Sequence, residues 1–256
     1  MYGIITKESM PSVFSTTQSE RLSDKYSFIP TTRILDVLSD EGWVPTSAQQ
    51  VSSRTSEERQ HAKHLIRLRH EDTMAWDGEG KVGDTFPELV LFNSHNGRAN
   101  YQLRFGLYRM ICSNGMVVGT EHLAPIRIRH MGYSDNQVVD ASKKFIESAE
   151  RILDVVDDWK GISMDRNEVV RFGTDAARLR FADPDEGTVN SVLQTRRTED
   201  SENNLWTVFN RTQENLIRGG FMVNGGRRSS RSITSIDKNL EINTQLWDLA
   251  SNYSKN

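Results

Sequence analysis

The stretch from Pro87 to Gly119, PELVLFNSHNGRANYQLRFGLYRMICSNGMVVG, constrains this chain more than any other. Glu88 to Phe92 is a short, nearly all-apolar run, the kind that fits a strand covered on both faces. Tyr101, Leu103, Phe105 and Leu107 then alternate with Gln102, Arg104, Gly106 and Tyr108, which is the period of a strand. Asn96-Gly97 lies between the two runs and marks a turn, because both residues tolerate positive φ. Asn114-Gly115 follows Cys112 and reverses the chain again. Asn93, His95, Asn96, Cys112 and Asn114 are therefore expected near strand ends, where rigid scaffolds present side chains in open loops. Asparagine beside glycine is mostly a turn former, so these turns are expected to support the sheet rather than catalyse.

Two further segments echo each other. Ile66-Arg67-Leu68-Arg69-His70 and Ile126-Arg127-Ile128-Arg129-His130 share the order Ile-Arg-apolar-Arg-His. On a strand, residues i and i+2 point the same way, so each segment places aliphatics on one face and arginines on the other. If both strands share a sheet, Arg67, Arg69, Arg127 and Arg129 make a basic face that Arg104 can join. Guanidinium groups bind phosphate bidentately, which makes this face a candidate nucleic-acid site. The competing reading is a set of arginines paired with Glu and Asp, since an amphipathic strand needs a polar face in any case.

The second half changes character. Val138, Val139, Phe145, Ile146, Ala149, Ile152, Leu153, Val156 and Trp159 follow helical spacing between Asn136 and Lys160. Further helices are expected over Asp165 to Phe181, Gly187 to Gln194, Asn204 to Arg218 and Asp237 to Tyr253. Strands first and helices later point to an α+β fold. The expectation is a mainly antiparallel sheet in the N-terminal half backed by a long helix, with a mostly helical C-terminal half. The polar, Ser/Thr-rich residues 1–24 read as a flexible N-terminal arm, or one that docks. Residues 25–195 read as the α+β core domain. Arg196 to Asn203 has no apolar residue and reads as a charged linker, which makes 196–256 a helical C-terminal segment.

That last segment carries GGFMVNGGRRSSRSITS, Gly219 to Ser235. From Leu205 to Arg231 there are five arginines against one acid, Glu214, a local charge of +4 in a chain whose net charge is −3. Arg218, Arg227, Arg228 and Arg231, with glycines and hydroxyls, form a second candidate for cradling phosphates. Phe221 could stack on a base. A flexible helix–helix connection made soluble by charge is the plainer alternative.

Other chemistries find less support. The histidines are His61, His64, His70, His95, His122 and His130; no HExxH or CxxC pattern occurs, so no metal site is expected. Cys112 with His95 or His130 could form a nucleophile and base, but a lone cysteine is more often an inert small hydrophobe. No P-loop motif is present, and no carboxylate cluster for a nuclease. A binding protein without a cofactor is expected rather than an enzyme. One cysteine suits a reducing cytosol, and no run approaches the roughly 18 apolar residues a membrane span needs.

FNSHNG, GLYRMICSNGMVVG and IRIRHMG, with KYSFIPTTRILDVLSDEGW near the start and NLWTVFNRTQENLIRGG and RRSSRSITSIDKNLEINTQLWDLA at the end, resemble a family of uncharacterised phage- and plasmid-borne proteins. The resemblance covers about residues 22–253. It implies a mobile-element setting, a cytoplasmic location in a bacterial host, and a role in DNA metabolism or counter-defence. The two basic features and this setting lead to one expectation: a nucleic-acid-binding protein, preferring single-stranded DNA and acting as a homo-oligomer. Its most specific form is a single-strand annealing or recombination protein. The alternative is an interaction protein that binds a host defence factor through the same surfaces.

Overall fold

A computed structural model describes residues 4–22, 26–72, 85–109, 112–119, 122–128, 133–223 and 225–255. The chain divides into two compact units, Met1–Tyr108 with Leu123–Ala149, and Arg109–His122 with Glu150–Asn256. This differs from the division expected at residue 195/196. The reason lies in the supposed linker, whose charges are spent inside the second unit, as shown below.

The first unit is a sheet with helices on one face. Its strands are β1 (Trp43–Gln50), β2 (His64–His70), β3 (Thr85–Asn93), β4 (Tyr101–Arg109) and the short β6 (Ile126–Ile128). The order is β1-β2-β3-β4, with β6 also paired on β4. The β1–β2, β2–β3 and β4–β6 pairs are antiparallel. The two arginine-bearing segments thus lie in one sheet, as the shared alternation implied. The register of β1 shifts between Pro45 and Ser47, where a proline cannot serve the ladder.

Register assigns the faces. Ile66 lies opposite Leu91 and Leu68 opposite Leu89, and all four are fully buried. This aliphatic face continues through Leu103 and Phe105. Helix α1 (Thr31–Asp40) contributes Ile34, Leu35 and Leu38 to the same core. Helix α3 (Asp135–Gly161), the long helix expected from its periodicity, buries Val138, Ala141 and Phe145. Phe105 and Phe145 stack with centroids 5.7 Å apart, which fixes the first half of α3 on the aliphatic face. The expected N-terminal arm is docked where it is described: Ile5, Met10 and Val13 are buried, and Ser12 donates to the Gln50 side chain. Helix α2 (Ser56–Gln60) is a single exposed turn capped by Thr55.

The second unit holds β5 (Cys112–Val117), the rest of α3, and helices α4 (Arg166–Arg178), α5 (Glu186–Val192), α6 (Leu205–Arg218) and α7 (Ile236–Tyr253). Its core is aromatic: Trp159 lies 4.6 Å from Trp247 and 5.5 Å from Phe209 between ring centroids. Every residue of α6 from Leu205 to Ile217 is buried, its polar ones included. Many of those polar groups are met, though Asn210 Oδ1, Arg211 Nε, Thr212 Oγ1 and Gln213 Oε1 have no hydrogen-bond partner among the described residues. Gln213 donates to Asn243 at 2.9 Å, and Asn215 donates to the carbonyls of Val192 and Gln194 at 2.8 Å. Glu214 accepts both arms of Arg197, and Arg109 pairs with the buried Asp200 at 2.6 Å. Arg196 to Asn203 is therefore a charged clamp on α6 and not a linker. A buried polar helix specifies its neighbours because each unmade bond is costly.

Helix α4 starts in a complete capping box, with Asp165 accepting from Glu168 N–H and Glu168 reaching back to Asp165 N–H, both at 2.8 Å. Asp165→Ala is expected to cost about 1 kcal/mol. Urea unfolding should show a lower midpoint at unchanged slope; an unchanged midpoint would mean that water replaces the cap.

Candidate nucleic-acid interface

The face of the first sheet opposite the aliphatic core carries the arginines. Arg67 lies opposite Val90 on β3, and Gln102 on β4 lies opposite Arg127 on β6. Arg69 stands 3.8 Å over the Tyr108 ring, which places Tyr108 and, by alternation, Arg104 on the same side. Arg67, Arg69, Arg104 and Arg127 therefore share one face.

Their states differ. Glu88, 1% exposed, accepts from Arg67 at 2.9 Å and from Arg69 at 3.2 Å, and Thr46 also donates to it. Arg67 and Arg69, expected as phosphate contacts, are thus held by one buried carboxylate, and Arg67 is itself only 8% exposed. Arg104 donates to Gln102 through two nitrogens, at 3.1 and 2.9 Å. Burial, and then the neighbouring charge of Arg127, pull the Arg104 guanidinium below its ordinary value. Arg127 is exposed. Two cations set side by side on one sheet face make a place where an anion is favoured. Arg129 and His130 lie outside the described residues.

The second basic feature is a small antiparallel hairpin, β7 (Met222–Val223) with β8 (Arg228–Ser229). Gly219 ends α6 with φ 61°, and a Cβ there would meet the Arg231 carbonyl oxygen at 2.6 Å, so only glycine lets the two chains pass. Gly225 and Gly226 turn the tip at φ 65° and 81°. Gly225 N–H donates to the Asp185 carboxylate, and Arg180 donates to the carbonyls of Leu216 and Arg231, which anchors both ends of the hairpin. Arg227, Arg228 and Arg231 are exposed, and none forms an ion pair among the described residues. Arg218 differs: it pairs with Glu214 at 3.1 Å. Phe221 is buried against Phe181 and is not available for stacking on a base; the exposed apolar residue of the hairpin is Met222.

The turn residues support structure. Asn96 Oδ1 accepts from Arg98 N–H at 3.2 Å, and Ser94 Oγ accepts from Ala99 N–H at 2.8 Å. His95 is fully buried, with Nε2 3.1 Å from Thr31 Oγ1. His64 Nε2 and the Tyr101 hydroxyl meet the same Thr31 oxygen at 2.9 and 2.8 Å. This polar knot was not foreseen; its parts lie far apart in sequence, and no local pattern joins them. Among the described residues no three His, Cys, Asp or Glu side chains converge as metal ligands. No described helix is long and apolar enough to cross a membrane.

Residues 19–247 match the family described as Domain of unknown function (DUF932). Two Escherichia coli (strain K12) proteins, "UPF0380 protein YfjQ" and "UPF0380 protein YafZ", are each 34% identical over 254 residues, spanning 96% of this chain and 90% of theirs. No solved structure matches. The chain therefore belongs to the DUF932 family.

Proposed function

We propose that the protein binds nucleic acid, single strands in preference, through the hairpin arginines Arg227, Arg228 and Arg231 of the second unit and, as a surface in its own right, through Arg104 and Arg127 on the sheet face of the first. The observation that carries this reading is the hairpin. Three exposed guanidiniums, without ion pairs among the described residues, sit on a glycine-turned ribbon in a chain of net negative charge. Such groups are poised for phosphate, because guanidinium matches it bidentately and their association releases counterions. Single strands are favoured because the proposed contacts are to backbone and no recognition-helix signature for duplex DNA stands out in the sequence. Binding as an oligomer along the strand extends the same proposal. Arg67, Arg69 and Arg218 serve mainly as internal ion pairs and contribute less.

The test is binding of labelled single- and double-stranded DNA at several salt concentrations, with native mass measured in parallel. Arg227→Ala/Arg228→Ala/Arg231→Ala should keep its melting temperature and lose affinity at least about tenfold at low salt. Its log–log salt slope should flatten by up to about 2, at about 0.7 per lost single-strand phosphate contact. Absence of wild-type binding at low salt would defeat the proposal. It would favour capture of a host protein instead, a reading supported by Met222, half exposed beside the arginines.

A further inference from the structure

The first unit contains a polar cleft of about 140 Å³ that shares no lining residue with either basic feature above. Ser19 and Arg21 come from the N-terminal segment, Glu57, Glu58 and His61 from α2 and its end, and Asn96 and Arg98 from the β3–β4 turn. Three segments distant in sequence are held together there by backbone bonds. His95 N–H donates to His61 C=O at 3.2 Å, and Ser19 N–H donates to His95 C=O at 3.0 Å. The walls are therefore built, not a chance gathering of surface side chains.

His61 is the informative residue. It is 6% exposed, it lines the cleft, and its Nε2 has no hydrogen-bond partner. A buried ring nitrogen without a partner costs free energy that a bound group would recover. Arg21 and Arg98 line the same space, yet neither forms an ion pair among the described residues, although Glu57 and Glu58 also line it. Asn96 spends its carbonyl on Arg98 N–H, which leaves its amide N–H groups to face the cleft's contents. Two guanidiniums, an imidazole, an amide and a serine hydroxyl make a donor set for a tetrahedral oxyanion. The two glutamates are acceptors and would repel a bare anion, but would accept from hydroxyl groups attached to it. No aromatic residue other than the imidazole lines the space, so nothing there would stack on a nucleobase.

We propose that this cleft binds a small phosphate monoester carrying hydroxyl groups, with the phosphate on Arg21, Arg98 and His61 and the hydroxyls on Glu57 and Glu58. It is a ligand site independent of the nucleic-acid surface. Titration calorimetry and thermal shift with glycerol 3-phosphate, inorganic phosphate and glycerol test it. Glycerol 3-phosphate should bind saturably with unit stoichiometry, inorganic phosphate more weakly, and glycerol not at all. Arg21→Ala and Arg98→Ala, both exposed positions, should keep the unliganded melting temperature and each weaken glycerol 3-phosphate at least about tenfold. Glu57→Gln should tighten inorganic phosphate while narrowing its gap to glycerol 3-phosphate. Arg227→Ala/Arg228→Ala/Arg231→Ala should leave all of this unchanged, so failure of the DNA proposal leaves this one standing. Non-saturable binding, or wild-type affinity in both cleft arginine variants, overturns the site.

Discussion

Glu88→Ala will lower folding stability by about 3–5 kcal/mol, the range for breaking a buried ion pair from one side. The glutamate is 1% exposed and is shared by Arg67 and Arg69, whose side chains are 10% and 18% exposed. Alanine removes the carboxylate and leaves two guanidiniums facing each other in a poorly solvated place. Glu88→Gln should cost less, because it keeps an acceptor and loses only the charge. Replacing the pair together, Arg67→Met with Glu88→Leu, should recover much of the loss, since apolar replacement removes the demand along with the supply. Denaturant unfolding of these variants makes the cycle. A loss under about 1 kcal/mol for Glu88→Ala would mean that Arg67 and Arg69 turn to water, and that the sheet face is open enough for both to serve as phosphate contacts.

This shared carboxylate shows where sequence reading reaches and where it stops. Alternation in Tyr101 to Tyr108 and in His64 to His70 was enough to place two strands and their faces. Periodicity placed the long helix within a residue of Asp135–Gly161. Glu88 stands in the sequence only as the first residue of a nearly all-apolar run. Only the β2–β3 register, Arg67 opposite Val90, brings it between two arginines, and register is set by pairings that no local pattern carries. The same holds for α6. Its sequence marks a helix over Asn204 to Arg218, but the partners of Arg211, Asn215 and Gln213 lie on other elements, at Asn203, Val192 and Asn243. The docked N-terminal segment uses Ile5, Met10 and Val13, too sparse to show a period. In the candidate site, arginines could be named from sequence but not sorted. Pairing with Glu88 or Glu214 separates Arg67, Arg69 and Arg218 from the exposed hairpin set.

Thr31→Val will cost about 3 kcal/mol or more, and the chain will lose stability on acidification through His64. Thr31 Oγ1 is the hub of three buried groups, and valine keeps its shape while removing the oxygen that all three share. Each buried polar group left without a partner costs about 1–3 kcal/mol. The partners also settle the protons. His64 Nδ1 lies 3.1 Å from the Ala62 carbonyl and 3.0 Å from Ser12 Oγ, whose own proton goes to Gln50 at 2.6 Å, so Nδ1 carries the hydrogen. His64 Nε2 is then bare and takes the Thr31 proton, and His95 Nε2–H donates to the Thr31 oxygen. Tyr101 has one proton for two oxygens at 2.8 Å, Thr31 Oγ1 and the Ile29 carbonyl. Burial pushes His64 from 6.5 down to about 4, with the Ala62 carbonyl opposing the shift. In the unfolded chain the ring returns to its ordinary value, so between those two values the unfolded state binds the extra proton. Stability is therefore full above about pH 6.5. It falls as pH drops toward about 4 and then levels off, for a total near 3 kcal/mol at 1.36 kcal/mol per unit. Unfolding free energies measured from pH 7 to pH 4 should show this slope in wild type and lose it in His64→Leu. A slope that survives His64→Leu would assign the acid sensitivity to another group. A Thr31→Val variant within about 1 kcal/mol of wild type would show that His64, His95 and Tyr101 find partners without the hub.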